Sequence, residues 1–365
     1  MYDITNAVCL WEHLAATSKP IIIYGMGDGA QKILDVCAEK NVKVSGFMAS
    51  DDFVRGHSFA GFEVKKLSDI EQQFGDCIIL VAFGTHIDEV IQRIIAISDR
   101  HELYAPDVPV IGGGLFTKEY AEEHRAELER VYSMLSDEKS KQVFDGWLEY
   151  RITGRIQPLI RNQTDKSDGY GILALGENET YADLGAYNGD TISEFLRVTD
   201  GRFNKIFAME PDGKNYAKMK RIHYKLNPYD FRTVNAGAWS CDTVCEFISK
   251  GGRNSSLIPY EKGKPINPSR IKEIDMRSLD SFVKDEHITY IKYDVEGADL
   301  EALKGSEYTI SRYAPKICSA LYHRPYDYIT LPLYINSLCK GYKFYIRQER
   351  YYPAWETNLF CIHDK

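Results

Sequence analysis

Short apolar runs that end in glycine or acid, each followed by a helical periodicity, recur along this 365-residue chain and constrain its fold more than any other feature. Residues 21–24 (IIIY) run into Gly25-Met26-Gly27-Asp28-Gly29-Ala30, and apolar positions then follow at Ile33, Leu34, Val36 and Cys37. Residues 42–47 and 77–82 read as further strands, the latter followed by an amphipathic run at Ile87, Val90, Ile91, Ile94 and Ile95. The alternation resumes with extended runs at 179–184, 205–209, 231–238, 288–293 and 316–321, and helical patterns at 192–196, 216–222, 300–310 and 329–338. Strands alternating with helices predict parallel sheets with right-handed crossovers. The length argues for more than one domain.

Between the two alternating stretches the pattern is helical only. Leu128, Val131, Tyr132 and Leu135 recur at helix spacing, and Ser136-Asp137-Glu138 reads as the capped start of a second helix stopped by Gly154. The expected organisation is therefore a small Rossmann-like α/β domain over 1–114, a helical connector over 115–165 and a second α/β domain over 166–365. We expect the second domain to open with a short strand pair at 169–175 and to close with edge strands near 344–346 and 358–362.

A formal net charge of −8 speaks against a general nucleic-acid binder, which needs a basic face to neutralise phosphates. The basic stretch 214–225 reads as a solvated helix face. Eight scattered cysteines lack metal-site spacing and are expected to be reduced thiols. No apolar run approaches the roughly 20 residues that span a bilayer. The first residues lack a basic region followed by an apolar core, so the expected location is cytoplasmic.

Two glycine turns compete for attention. Gly25, Gly27 and Ala30 fit G-x-G-x-x-(G/A) between a strand and a helix. The acid expected at the end of the following strand is missing, because Phe47-Met48-Ala49 stands there and Asp51 and Asp52 come late. This turn reads either as a nucleotide or nucleotide-sugar site or as a tight packing turn, and the packing reading is preferred. Residues 181–191 (YADLGAYNGDT) are richer. Gly185 and Gly189 let the chain turn closely around a ligand at the start of a helix. The next strand ends in Glu210-Pro211, a carboxylate placed to accept both hydroxyls of a ribose. Later strands end in Asn235-Ala236 and in Asp294-Val295-Glu296-Gly297. Ligands on doubly wound sheets sit beyond the carboxyl ends of the strands, where all of these fall.

Residues 183–191 (DLGAYNGDT), Glu210-Pro211, 235–240 (NAGAWS), Ser278-Leu279-Asp280 and 291–297 (IKYDVEG), in that order, resemble the FkbM-type methyltransferases. The resemblance covers about residues 168–362. Tyr322-His323-Arg324-Pro325 and the stretch 341–347 also look like the family's, and the first domain and connector resemble an amino-terminal part fused to some members. The resemblance implies a class I methyltransferase fold, a Rossmann-like seven-stranded sheet, and S-adenosylmethionine (SAM) as methyl donor. By motif position Asp183, Gly185, Ala186, Gly189 and Thr191 would hold the methionine part and the turn. Glu210 would hold the ribose, Asn235 and Ala236 would lie near the adenine, and Asp294 and Glu296 would lie at the methyl-transfer end. The acceptor it implies is a hydroxyl of a small molecule, sugar or glycan.

In-line methyl transfer to an alcohol needs alignment and a base within hydrogen-bond reach. Asp294 and His323 are the candidates, since they end adjacent strands. A divalent metal at Asp294 is an alternative to the base, although no ligand set stands out. Asn254-Ser255-Ser256 reads as a substrate-side loop or a plain polar turn. Tyr326, Tyr328, Tyr351, Tyr352 and Trp355 read as a sugar-stacking set or as aromatic packing. Two other functions stay open: an NAD-dependent sugar-modifying enzyme using Gly25-x-Gly27, and a nucleotide-sugar-binding protein whose methyltransferase-like domain is silent. A homo-oligomer is compatible with the sequence.

Overall fold

The structure, a computed structural model, describes residues 1–54, 56–112, 114–227, 229–248 and 271–364. Its first sheet contains β1 (Ile21–Tyr24), β2 (Val44–Met48), β3 (Ser58–Phe59), β4 (Phe62–Lys65), β5 (Ile78–Val81) and β6 (Glu102–Tyr104) in the order β3-β4-β2-β1-β5-β6. All of its pairings are parallel except the short β3–β4 hairpin at one edge. β1 and β5 are buried at every position, as expected of central parallel strands covered on both faces.

The second sheet has seven strands. β7 (Thr180–Leu184), β8 (Lys205–Met209) and β9 (Phe231–Val234) form one half. β10 (Gly237–Ala238), β11 (Thr243–Ile248) and β12 (Ile271–Arg277) make a separate three-stranded sheet. β13 (Tyr290–Tyr293), β14 (Lys316–Ala320), β15 (Tyr342–Gln348) and β16 (Thr357–His363) complete the large sheet in the order β15-β16-β14-β13-β7-β8-β9. β16 runs antiparallel to both β14 and β15, so the expected antiparallel edge is present. Strand order reverses between β7 and β13, which puts a crevice above the ends of these two strands.

Residues 169–175 do not form a strand pair. Residues 169–173 belong to the helix Lys166–Leu173, started by Asp165, whose side chain accepts from the Ser167 N–H, and ended by Ala174 in the left-handed region. Gly169 is a packing device in this helix: a Cβ there would stand 2.6 Å from the Phe360 ring. The stretch expected as one helix over 300–310 is two, Asp299–Lys304 and Glu307–Tyr313. Gly305 separates them, pressed so close to the Trp239 carbonyl that a Cβ would lie 2.0 Å from its oxygen. The run 231–238 is also divided, because β9 stays in the large sheet while β10 leaves it to pair with β12.

The helix Glu138–Thr153 covers the exposed edge of β15, which would otherwise offer unpaired backbone. The Ile346 N–H donates to Ser140 Oγ at 3.0 Å, and Arg347 Nη2 pairs with Asp137 Oδ2 at 2.6 Å. Trp147 of this helix stacks on Tyr328 with ring centroids 3.4 Å apart, and both are buried. Tyr328 is thus a core residue and not a sugar platform. All eight cysteines are free. No helix among the described residues is long and apolar enough to cross a membrane.

Candidate active site

The turn after β7 is built by steric necessity. Gly185 has φ +90°, and a Cβ on it would stand 2.0 Å from the Asp294 carbonyl oxygen, so only glycine fits between the ends of β7 and β13. Gly189, with φ +87°, starts the helix Asp190–Val198 against His223, whose Nε2 lies 2.9 Å from the Gly189 oxygen. Tyr187 between them is held at φ +45°, a strained conformation for a bulky residue and one that concentrates at functional turns. Ala186 is fully buried and its N–H donates to the Met209 carbonyl, tying the turn to β8.

Asp183 points inward from β7 and is completely buried. Its Oδ2 accepts from Thr191 Oγ1 at 2.5 Å, and the Tyr181 side chain also stabilises the carboxylate. Burial raises its pKa even though Lys292 and Thr191 act in the opposite direction.

Glu210 follows β8. Its two oxygens accept from the backbone N–H groups of Tyr187 (2.9 Å) and Asp212 (2.8 Å), which fixes the carboxyl beside the glycine turn. Burial dominates and pushes its pKa up to about 7. Asn235 donates to the carbonyls of Glu210 (2.7 Å) and Pro211 (3.0 Å), so in this structure it braces the Glu210 loop.

At the end of β13, Lys292 and Asp294 are two residues apart and so share a face of the strand. Lys292 Nζ lies 3.0 Å from Asp294 Oδ2. Burial opposes the charge on Asp294, but Lys292 and then His323 outweigh it and hold the carboxyl far below the ordinary range. For Lys292 burial likewise opposes the charge and is outweighed by Asp294 and Asp183, which raises its pKa.

Behind Asp294 lies His323, fully buried. Its Nε2 is 3.4 Å from Asp294 Oδ1 and 3.8 Å from Glu296 Oε2, and its Nδ1 is 2.9 Å from Asp299 Oδ2. Burial works against a charged imidazole, yet Asp299 and Asp294 keep its pKa well above the ordinary histidine value. Asp299 is itself buried and accepts from the Gly297 N–H at 3.2 Å as well as from the imidazole. It thereby closes the turn in which Glu296 (φ +51°) and Gly297 (φ +83°) both take left-handed conformations.

One cavity of about 560 Å³ joins these parts. Gly185, Thr191, Glu210, Lys292, Asp294 and Glu296 all line it. Asp183, Ala186, Gly189, Asn235, Ala236 and His323 stand outside its lining and support it from behind; Gly237 and Ala238 take the rim position expected of Asn235 and Ala236. His323 faces the cavity through Asp294 and Glu296, which line it, so the structure gives it a positioning place and not the direct contact expected from the sequence. Lys292, Asp299 and Tyr322, whose hydroxyl donates to Asp294 Oδ1 at 3.4 Å, were missed as site residues. The two-residue spacing of Lys292 and Asp294 on a strand was the available signal for the lysine. Asn254, Ser255 and Ser256 lie outside the described residues. No group of three or more His, Cys, Asp or Glu side chains arranged to hold a metal occurs among the described residues.

Residues 183–344 match the family model described as the methyltransferase FkbM domain. This stretch is an FkbM methyltransferase domain. Residues 17–102 match a second family, described as C2185-like, N-terminal. The chain is similar to a methyltransferase FkbM of Methylobacillus flagellatus KT, with 19% identity, a TM-score of 0.71, and coverage of 96% of this chain and 92% of that one. At this identity the likeness concerns the fold, and it extends over both sheets. Partial likenesses reach an rRNA methylase from Streptococcus thermophilus (14% identity, 54% of this chain, 95% of that one, TM-score 0.35). They also reach Aeropyrum pernix fibrillarin in complex with S-adenosyl-L-methionine (10% identity, 54% of this chain, 74% of that one, TM-score 0.33). No curated protein sequence matches the chain.

Proposed function

We propose that this methyltransferase uses SAM and methylates a hydroxyl of a sugar, glycan or similar polyhydroxylated molecule. The observation that carries the reading is that Glu210 and Asp294 line one continuous cavity, the first suited to ribose and the second to an acceptor.

The residues present fit the donor. Gly185 and Thr191 line the cavity at the turn after β7, and Glu210 lines it beside them and offers a carboxyl to a ribose diol. When bound, SAM supplies an electrophilic methyl carbon. The protein's part is orientation and the proton. Asp294, ionised under the influence of Lys292 and His323, accepts the acceptor's O–H at a carboxylate oxygen and aligns the attacking lone pair. The proton moves to that oxygen late, as the acceptor oxygen turns acidic on bonding to carbon. Asp299 and His323 keep the carboxyl aimed.

The cavity continues beyond Asp294 to Lys166, Glu194, Glu349, Glu356 and Asn358. Carboxylates, an amide and an ammonium suit a ligand rich in hydroxyls, which donates to the first and accepts from the last. We further propose that the chain divides near 114 and 165 into the three parts read from the sequence, acting in the cytoplasm. Calorimetry with S-adenosylhomocysteine and radiolabelled methyl transfer to a panel of methyl glycosides and matched amines test the reading. Binding followed by transfer to a glycoside hydroxyl is expected. Absence of binding at millimolar ligand overturns the cofactor, and transfer to amines alone overturns the acceptor class.

A further inference from the structure

We infer that the first α/β unit uses its ligand crevice to grip the loop that forms the acceptor-side wall of the methyltransferase cavity. The inference rests on the reading of that cavity given above, and it gives the unit a positioning role of its own.

In the first sheet the strand order reverses between β1 and β5, so a bound ligand would lie beyond the carboxyl ends of these strands. Protein closes on that space at two of the three glycines, while nothing lies within 4 Å of a Cβ built on Gly27. A Cβ on Gly25 would stand 3.0 Å from the Phe83 ring, and one on Gly29 would stand 2.3 Å from the Ala82 carbonyl oxygen. The glycines there allow helix, strand and loop to close on one another. Further out, Gly84 lies beneath two aromatic rings from the other end of the chain: a Cβ on it would stand 2.5 Å from Trp355 and 2.8 Å from Tyr351.

The contact is more than a touch of side chains. Thr85 and Tyr352 form an antiparallel bridge, the Thr85 N–H donating to the Tyr352 oxygen at 2.8 Å and the Tyr352 N–H to the Thr85 oxygen at 3.0 Å. His86 and Tyr351 pack with ring centroids 5.6 Å apart, and Arg350 Nη1 pairs with Asp88 Oδ1 at 3.0 Å. Residues 350–355 are therefore zipped onto residues 84–88 by backbone, ring and charge together.

This segment is the connection between β15 and β16, and its two ends carry Glu349 and Glu356, which line the cavity. The Glu349 N–H donates to the Glu356 oxygen at 3.0 Å, closing the loop at its base. Glu356 holds φ +64°, a conformation that needs outside support in a residue with a Cβ. One side of the loop faces the acceptor space and the other is seated on the first unit. Displacing Trp355 from Gly84 loosens that wall while the cofactor half, built on β7 and β8, stays in place.

Hydrogen exchange on the full-length chain, read at the amides of residues 349–356, tests the inference alongside calorimetry with S-adenosylhomocysteine. Gly84→Ala drives a methyl into the Trp355 ring, Trp355→Ala empties the seat, and Asp88→Ala removes the ion pair. Gly84→Ala and Trp355→Ala are each expected to speed exchange of the loop at least tenfold and Asp88→Ala, which removes an exposed pair, about two- to fivefold, while S-adenosylhomocysteine affinity stays within twofold. Asp88→Ala, on the surface, keeps the test intact if Gly84→Ala does not fold. Unchanged exchange in the variants overturns the inference. So does saturable binding of NADH or UDP-glucose to the wild type with loss of loop protection, since the crevice would then be a ligand site. Failure of S-adenosylhomocysteine to bind the wild type counts against the cofactor reading and leaves the exchange result standing.

Discussion

Gly185 and Asp294 are packed backbone to backbone: a single carbon added to Gly185 would lie 2.0 Å from the Asp294 carbonyl oxygen. The proposed cofactor turn and the proposed reaction end are thus one piece of structure, and disturbing either moves both.

Gly185→Ala is the sharpest test of that coupling. The left-handed φ alone costs about 1–3 kcal/mol for a residue with a Cβ, and the clash is with backbone that has no rotamer to change. We expect lower stability in denaturant melts and a loss of S-adenosylhomocysteine affinity of tenfold or more by calorimetry. Normal affinity would mean that the ligand does not use this turn.

Glu210→Gln separates stability from binding. Because burial raises Glu210 from 4.5 to about 7, its contribution to stability is full below pH 4.5 and is lost as pH rises through 7. The unliganded variant should therefore lose less stability than wild type between about pH 5 and 8. Its binding should suffer, because a ribose diol donates best to an ionised carboxylate, by about 1.5–3 kcal/mol at high pH. Thermal melts and calorimetry at several pH values check both halves.

Lys292→Met removes the cation that contributes most to holding Asp294 ionised. The carboxyl pKa should rise, so the acid limb of the pH–rate profile moves to higher pH. Breaking a mostly buried pair also costs about 3–5 kcal/mol of stability. An acid limb that stays in place would remove Asp294 from the proton's path.

Asp299→Asn makes a smaller change of the same sign. Without the negative charge at Nδ1 the His323 pKa falls, and Asp294 loses part of its second cationic neighbour. The acid limb should move up by less than in Lys292→Met, with kcat falling more than KM rises. A variant that only melts earlier, with an unshifted limb, would reduce Asp299 to a structural role.

Much of this was legible in the sequence because strand ends on a doubly wound sheet converge. Asp183, Glu210 and Asp294 needed only the order of strands and their last residues to be located. The errors came where glycine had a packing reason. The stretch expected as a strand pair is a helix whose Gly169 makes room for Phe360, and Gly305 divides one apparent helix because a carbonyl presses against it. The sequence put His323 near Asp294, and the structure has the two 3.4 Å apart, but the depth of the imidazole behind a neighbouring side chain leaves no mark in spacing. Asp299 looked like any acid in the first turn of a helix; only the fold brings an imidazole to it.

The Thr85–Tyr352 bridge has a consequence for how such a chain diversifies. Two stretches more than 260 residues apart in the sequence share one short ladder, so under the proposed reading of the cavity, substitutions in the first of them are expected to retune which acceptors fit without altering any residue of the transferase half. Exchanging residues 82–88 between relatives is then a route to new specificity that leaves methyl donation untouched, and inheritance of acceptor choice should follow the amino-terminal part of the chain.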